Sequence, residues 1–381
     1  MFFRLHQRGL LGYRGPVDGH PELLREIQRE ISEARDGRIP FARFMELALY
    51  HERYGYYTGP ASDRGQRIGK QGDYFTSVSV GPLFGKLLAK QFVKFREELG
   101  NPAEFEVVEF GGHRGQLRAD VLAAAPDLRY RIIEKGDPLP DSIVGCVFSN
   151  EFLDALPVHV VQVKDGAWQE IYVRTASPSP QPSPSRGEGA TSGSPLPPGG
   201  EDKGEGVSFE EVLGPLSTPR LVDYLRDLPV DHMEGYRTEV NLRALDWLTD
   251  VASRLKRGWI VTIDYGYERH EYFAPHHREG TLLCYHQHAK SANPYEKIGE
   301  QDITAHVEFT SLIEHGKKLG LELVTFTDQT HYLMQMGTSE FAEIVERTAG
   351  RLSKERSAIH QLIHPELMGH TFRVLVQRKE S

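Results

Sequence analysis

Two acids stand three residues apart in Asn150-Glu151-Phe152-Leu153-Asp154-Ala155-Leu156-Pro157, directly behind the apolar run Ile143–Ser149. If the segment makes a helical turn, Glu151 and Asp154 share one face, and Pro157 ends it. Carboxylates so paired can grip a cation such as a guanidinium, whereas a lone acid there would merely cap or salt-bridge. A second stretch, Glu109-Phe110-Gly111-Gly112-His113-Arg114-Gly115, leads from an apolar run into Leu117, Val121 and Leu122 at helical spacing. A strand, a glycine-rich turn and a helix N-terminus make a nucleotide cradle. The glycines let a ligand approach the backbone, and free N–H groups point at it. About 20 residues on, the next apolar run ends in Glu134, an acid suited to ribose hydroxyls. Two further stretches, Gly72-Asp73-Tyr74-Phe75-Thr76-Ser77 and Ile263-Asp264-Tyr265-Gly266, carry polar groups without being specific alone. His270, His276, His277, Cys284, His286 and His288 fall within 19 positions. They lack the paired Cys-x-x-Cys or His-Glu-x-x-His spacing of a zinc site, so no metal is expected.

These residues need elements to position them. Leu23/Leu24, Ile27 and Ile31 make one helical face, and Phe41, Phe44, Met45 and Ala48 a second. Gly81-Pro82 open a longer helix that buries Phe84, Leu87, Leu88, Phe92, Phe95 and Leu99 and stops at Gly100. Short apolar runs follow at Phe105–Phe110, Tyr130–Glu134, Ile143–Ser149, Trp259–Asp264, Leu321–Phe326 and Thr371–Gln377. Strands alternating with helices predict an α/β fold, a mostly parallel sheet covered on both faces. Ligands in such sheets bind beyond the carboxyl ends of the strands, where Asn150, Glu151, Asp264 and Tyr265 fall.

Composition bounds the rest. The chain has 381 residues and a net charge of −9, which argues against a nucleic-acid or anionic-membrane surface. No apolar run approaches the roughly 20 residues of a membrane helix. Two cysteines, Cys146 and Cys284, make no disulfide framework and suit a reducing compartment. The expected address is cytoplasmic. The mitochondrial matrix is the alternative, because residues 1–17 hold Arg4, Arg8 and Arg14 and no acid. Residues 176–207 contain 7 Pro, 7 Gly and 6 Ser. They are expected to be a disordered insertion in the turn of a hairpin formed by Trp168–Val173 and Ser208–Leu213.

Taken together, HERYGYY (51–57), GDYFTS (72–77), LFG (83–85), VVEFGGHRG (107–115), NEFLDALPV (150–158), TEVN (238–241), TIDYG (262–266), GTLLCYHQH (280–288) and DITAHVEF (302–309) resemble the MidA-like family of S-adenosylmethionine-dependent protein arginine methyltransferases, of the mitochondrial complex I assembly factor 7 type. The resemblance spans roughly residues 20 to 335 and implies a class I, Rossmann-like methyltransferase core. The expected parts are a mobile start (1–19), an N-terminal helical region with the GDYFTS loop (20–100), and the core with a substrate-side insertion (101–175 and 208–381). Only Lys135–Ser149 separate Glu134 from Asn150, so the sheet is expected to lack one edge strand.

By this resemblance, Glu109, Gly111, Gly112, Gly115, Glu134, Asp73, Thr76, Ser77 and Asn150 bind S-adenosyl-L-methionine. Asn150, Glu151 and Asp154 hold the incoming guanidinium, with Asp264 and Tyr265 on the substrate side. His113 occupies the loop's centre, where a Cβ approaches the methionine part of the cofactor. The implied reaction is methylation of an arginine on a subunit of NADH:ubiquinone oxidoreductase during complex I assembly. The alternative is a methyltransferase-fold assembly factor that binds such a subunit without catalysis. Neither reading calls for nucleic acid or membrane insertion.

Overall fold

The computed structural model describes residues 14–59, 76–176, 207–226, 228–230, 233–351 and 353–380. Asp73, the first 13 residues and all but the ends of the 176–207 insertion lie outside these. The six apolar runs form one sheet: β1 (Glu106–Phe110), β2 (Arg129–Ile133), β3 (Ile143–Asn150), β4 (Leu255–Tyr267), β5 (Glu322–Asp328) and β6 (Phe372–Lys379). The order is β5-β6-β4-β3-β1-β2, with the short strand Val307–Glu308 added in parallel at the end of β4. Strands β2, β1, β3 and β4 run parallel, and β6 is antiparallel to both its neighbours.

Alternate side chains divide between two apolar layers, as the period of two along a strand requires. Val107, Cys146, Phe148, Trp259, Val261 and Val374 pack with the helices Pro82–Glu98, Gln329–Arg347 and Lys354–Ile363. Val108, Val147, Ile260 and Leu375 pack with Leu242–Arg254 and Phe309–Lys318. Because both faces are covered, the strands read as unbroken apolar runs. Aromatic pairs fasten the first layer: Phe95 stacks on Trp259 at 4.2 Å and Phe92 meets Phe148 edge-on at 5.5 Å. Pairs of this kind contribute about 1 kcal/mol beyond the area they bury.

Between β2 and β3 the chain makes only a turn, in which Asp137 N–H donates to Glu134 O at 3.0 Å. Neither helix nor strand forms over residues 134–142, so β2 is the sheet's edge and one strand is missing there.

A second, antiparallel sheet has the order Arg14–Pro16, Ser208–Gly214, Ala167–Thr175, His159–Lys164, Arg237–Val240, with Ile39–Pro40 on the side of Ala167–Thr175. It contains the hairpin read from sequence. Ala176 N–H donates to Ser208 O at 2.9 Å, so the two ends of the insertion lie side by side. Residues 14–19, assigned from sequence to a mobile start, are instead tied down. Arg14–Pro16 pair with Ser208–Glu210, and Lys297 N–H donates to Asp18 Oδ1 at 2.6 Å. The open edge of Ser208–Gly214 supplies the partners that hold them. Helices Pro21–Glu33 and Phe41–Tyr50 turn Leu23, Ile27, Phe41 and Phe44 onto this sheet. A third, small sheet has the order Ala289–Ser291, Leu283–His286, Asp302–Thr304. Among the described residues no helix is long and apolar enough to cross a membrane.

Candidate active site

After β1 the chain turns through Gly111–Gly115 into the helix Gln116–Ala124. Gly111 and Gly115 have φ of 68° and 72°, left-handed values that a Cβ resists. Space excludes side chains as well. A Cβ on Gly111 would lie 2.9 Å from the Phe152 ring, and one on Gly112 would lie 2.7 Å from the Glu109 carboxylate. His113, at φ 44°, occupies the same backbone region, which histidine enters more readily than most residues. Its backbone N–H bonds the Glu134 carboxylate, and that bond opposes the upward push of burial on the Glu134 pKa. Glu109 is 3% exposed and accepts the Tyr130 hydroxyl at 3.0 Å. Burial pushes it up to about 7. Glu109 therefore props the loop from beneath.

β3 ends at Asn150, and the next residue reverses the chain. Glu151 has φ 51°, so 151–156 is a tight turn and not the helical turn considered from sequence. Asp264, at the end of β4, explains this geometry. Its Oδ2 accepts the N–H groups of Phe152, Leu153 and Asp154 at 3.2, 2.8 and 3.4 Å, and its Oδ1 accepts that of Tyr265 at 2.9 Å. A carboxylate that satisfies three successive amides replaces the bonds a helix would have made. Asp264, expected on the substrate side, is wholly buried and spent on holding the turn. Glu151 is fixed at one end only. Its Oε1 accepts the Ser77 N–H at 3.0 Å and Asn150 Nδ2 at 2.9 Å. Glu151 Oε2 and Asn150 Oδ1 are buried and have no partner.

The surroundings are acidic. Burial lifts Glu151 to about 8, with Asp264 and Asp302 adding to the push. Burial, then Asp264, Asp302 and Glu151, raises Asp154 far above the usual carboxylate range. Burial raises Asp264 to about 7 against its four backbone bonds. Carboxylates this close cannot all ionise together. Tyr57 donates to Asp302 Oδ1 at 2.8 Å, and Tyr50 donates to Ala155 O at 3.1 Å. Asp302, Asp154 and Glu134 all act on Tyr50, which links the glycine-loop rim to the acid cluster. Buried carboxylate and amide oxygens without a partner, such as Glu151 Oε2 and Asn150 Oδ1, call for a cationic donor.

The candidate residues fall into groups. Asn150, Glu151 and Asp154 are brought together, and Gly111, Gly112, Gly115 and Glu134 line the neighbouring turn. Ser77 is fully buried, its hydroxyl donating to Gln329 Oε1 at 3.1 Å. It therefore positions Glu151 through its backbone and presents no free hydroxyl. Thr76 exchanges hydrogen bonds with Ser79. Tyr265 packs on Phe372 at 4.0 Å. Asp302, Tyr57, Tyr50 and Gln329 join the site with no sequence signal that places them there. Tyr57 and Asp302 stand inside recognisable motifs, but their contact joins positions 245 apart. The histidine-rich run disperses: Cys284 is buried in the apolar layer under the second sheet, His276 faces Glu271, and His286 Nδ1 lies 2.9 Å from Glu300 O.

This geometry has counterparts in known proteins. Residues 133–327 match the model of a family described as S-adenosyl-L-methionine-dependent methyltransferases. A Burkholderia thailandensis protein, solved with S-adenosyl-homocysteine bound, is 28% identical, superposes with a TM-score of 0.78, and aligns over 96% of this chain and 95% of its own. The "Protein arginine methyltransferase NDUFAF7 homolog, mitochondrial" of Drosophila melanogaster is 25% identical over 78% of this chain and 70% of its own length. The Rattus norvegicus "Protein arginine methyltransferase NDUFAF7, mitochondrial" is 24% identical over 92% and 83%.

Proposed function

The chain belongs to the family of S-adenosyl-L-methionine-dependent methyltransferases, and from that premise we propose that it methylates an arginine side chain presented by a protein. The observation that carries the proposal is the buried Glu151 Oε2, unpartnered beside an unpartnered Asn150 Oδ1. A guanidinium offers five N–H donors in a rigid fork and keeps its charge at any physiological pH. It would satisfy both orphan oxygens and neutralise the Asp154–Asp302 cluster. A lysine ammonium, a compact point charge, would leave part of that set unmet.

The chain's residues suit the cofactor. Gly111, Gly112 and Gly115 give a side-chain-free approach to the backbone, and Glu134 stands at the next rim for a ribose. When bound, S-adenosyl-L-methionine supplies an electrophilic methyl group on a sulfonium. The protein's task is then alignment more than strong base catalysis. Glu151 and Asn150 hold the acceptor nitrogen's neighbours and localise its lone pair. Methylation requires the guanidinium to give up one N–H proton, and Asp154, ionised by the bound cation beside it, would be the group to take it, with Asp302 at its side. Asp264 keeps the turn in place throughout.

The acceptor we infer is a subunit of NADH:ubiquinone oxidoreductase, modified during complex I assembly. The support is the motif resemblance and the names of the relatives. The mitochondrial relatives accord with the matrix and not with the cytoplasmic address first expected. The test is to incubate the protein with S-adenosyl-L-methionine and such a subunit, then map methyl groups by mass spectrometry. Methyl groups on arginine are expected. Cofactor binding with stable subunit capture and no transfer would overturn the enzymatic reading in favour of the assembly-factor one.

A further inference from the structure

Three side chains of types that can ligate a metal converge on the rim of the sheet two strands along from β4. Asp328 ends β5 and caps the helix Gln329–Arg347, its Oδ1 accepting the His331 N–H at 2.9 Å. His370 lies just before β6, whose Arg373 pairs in register with Asp328. The sequence holds the third ligand 39 positions from His331, so no local spacing announces the group. One ligand atom from each residue lies within 4.8 Å of the others.

In the metal-free chain both imidazoles contact the Asp328 carboxylate directly, His331 by a hydrogen bond, and a cation would replace these contacts. His331 Nδ1 is 2.8 Å from Asp328 Oδ1 and 2.9 Å from Oδ2, and His370 Nε2 is 3.6 Å from Oδ2. Around a tetrahedral zinc with bonds of ~2.1 Å, ligand atoms lie ~3.4 Å apart. The observed distances straddle that value, and small imidazole rotations would bring all three ligands into range. The side chains have the freedom to make them. Asp328 is 11% exposed and held by its capping bond, whereas His331 and His370 are 69% and 50% exposed. The two rings lie nearly parallel, 11° apart. Two imidazoles and a carboxylate form a donor set that selects zinc-like divalent ions over magnesium or calcium, with one coordination position left to water.

We propose that Asp328, His331 and His370 bind a zinc-type divalent cation, which ties the first turn of the Gln329–Arg347 helix to the segment entering β6. Gln329, next to Asp328, also receives the Ser77 hydroxyl, so the cation would brace the helix turn that anchors Ser77.

The test uses the full chain, titrated with zinc chloride by calorimetry and with cobalt(II) by visible absorption. One equivalent should bind with a dissociation constant in the micromolar range or tighter, and cobalt should give the intense visible bands of four-coordination. His370→Ala should weaken zinc binding at least tenfold while leaving the metal-free melting temperature unchanged. Asp328→Asn, which keeps the helix cap, should weaken zinc binding likewise. A control variant, His276→Ala with His286→Ala, should bind like the native chain. Failure of the native chain to bind, or native affinity in His370→Ala and Asp328→Asn, would overturn the proposal; in the second case the metal would be adventitious, held elsewhere.

Discussion

Glu151→Gln separates the cost of the buried acid from its use. Gln is isosteric, and its amide oxygen can keep both hydrogen bonds that Glu151 Oε1 accepts, from Ser77 and from Asn150 Nδ2. What changes is the ability to ionise. In the ligand-free protein Glu151 holds its proton up to about pH 8, against an ordinary value of 4.5. A carboxyl raised in this way stabilises the fold fully below about pH 4.5, and that contribution is lost as pH rises through about 8. At pH 7 the native chain has forfeited about 3 kcal/mol that the amide variant never loses. For a chain of this size, 3 kcal/mol corresponds to about 4 °C in melting temperature. Glu151→Gln should therefore melt higher than the native protein at pH 7, and the gap should close near pH 4.5. Turnover should move the other way and fall roughly 10²–10³-fold, the usual loss when one charge-stabilising group is removed from a reaction centre. Differential scanning fluorimetry across pH and a methyl-transfer assay read the two effects. Equal melting temperatures at pH 7 together with native turnover would refute the reasoning.

Other outcomes follow from the same contacts. Asp264→Ala strips three successive amides of their acceptor and should cost about 3 kcal/mol, with a lowered urea midpoint and loss of methyl transfer; a native midpoint would show that the turn holds itself. His113→Gly relieves a left-handed backbone at φ 44°; it should tighten S-adenosylhomocysteine binding in a calorimetric titration if the Cβ crowds the cofactor, and unchanged affinity would discard that idea. Replacing residues 177–206 by a two-residue Asn-Gly turn joins ends that already exchange a hydrogen bond. Melting temperature and activity should stay within error, and a large drop in either would show that the segment does structural or catalytic work.

The core sheet was legible because strands buried on both faces cannot hide their composition. Val107 and Val108 both had to be apolar, as did Cys146, Val147 and Phe148, each run feeding two layers. The second sheet was not legible beyond its hairpin. Gln162, Thr238 and Glu239 are buried there while reading as surface residues, because strands far apart in sequence cover them. Glu151 and Asp154 were visible as acids behind an apolar strand. Their turn was not, since its shape is dictated by Asp264, more than a hundred positions away. Asp302 and Tyr57 stood in plain motifs, and nothing local to either said that they meet.

The hydrogen bonds around Glu151 also set when the pocket can exist. Ser77 reaches Glu151 across 74 positions, Leu153 reaches Asp264 across 111, and Ser77 reaches Gln329 across 252. Contacts of such separation close long loops and form late in folding. The pairing of β3 with β4 spans nearly the same separation as Leu153 to Asp264, so dehydration of Glu151 and Asp154 accompanies closure of the sheet and does not precede it. During refolding, native-like secondary structure should precede cofactor affinity. A nascent chain still short of Gln329 carries every acid of the site but not the side chain that accepts the Ser77 hydroxyl.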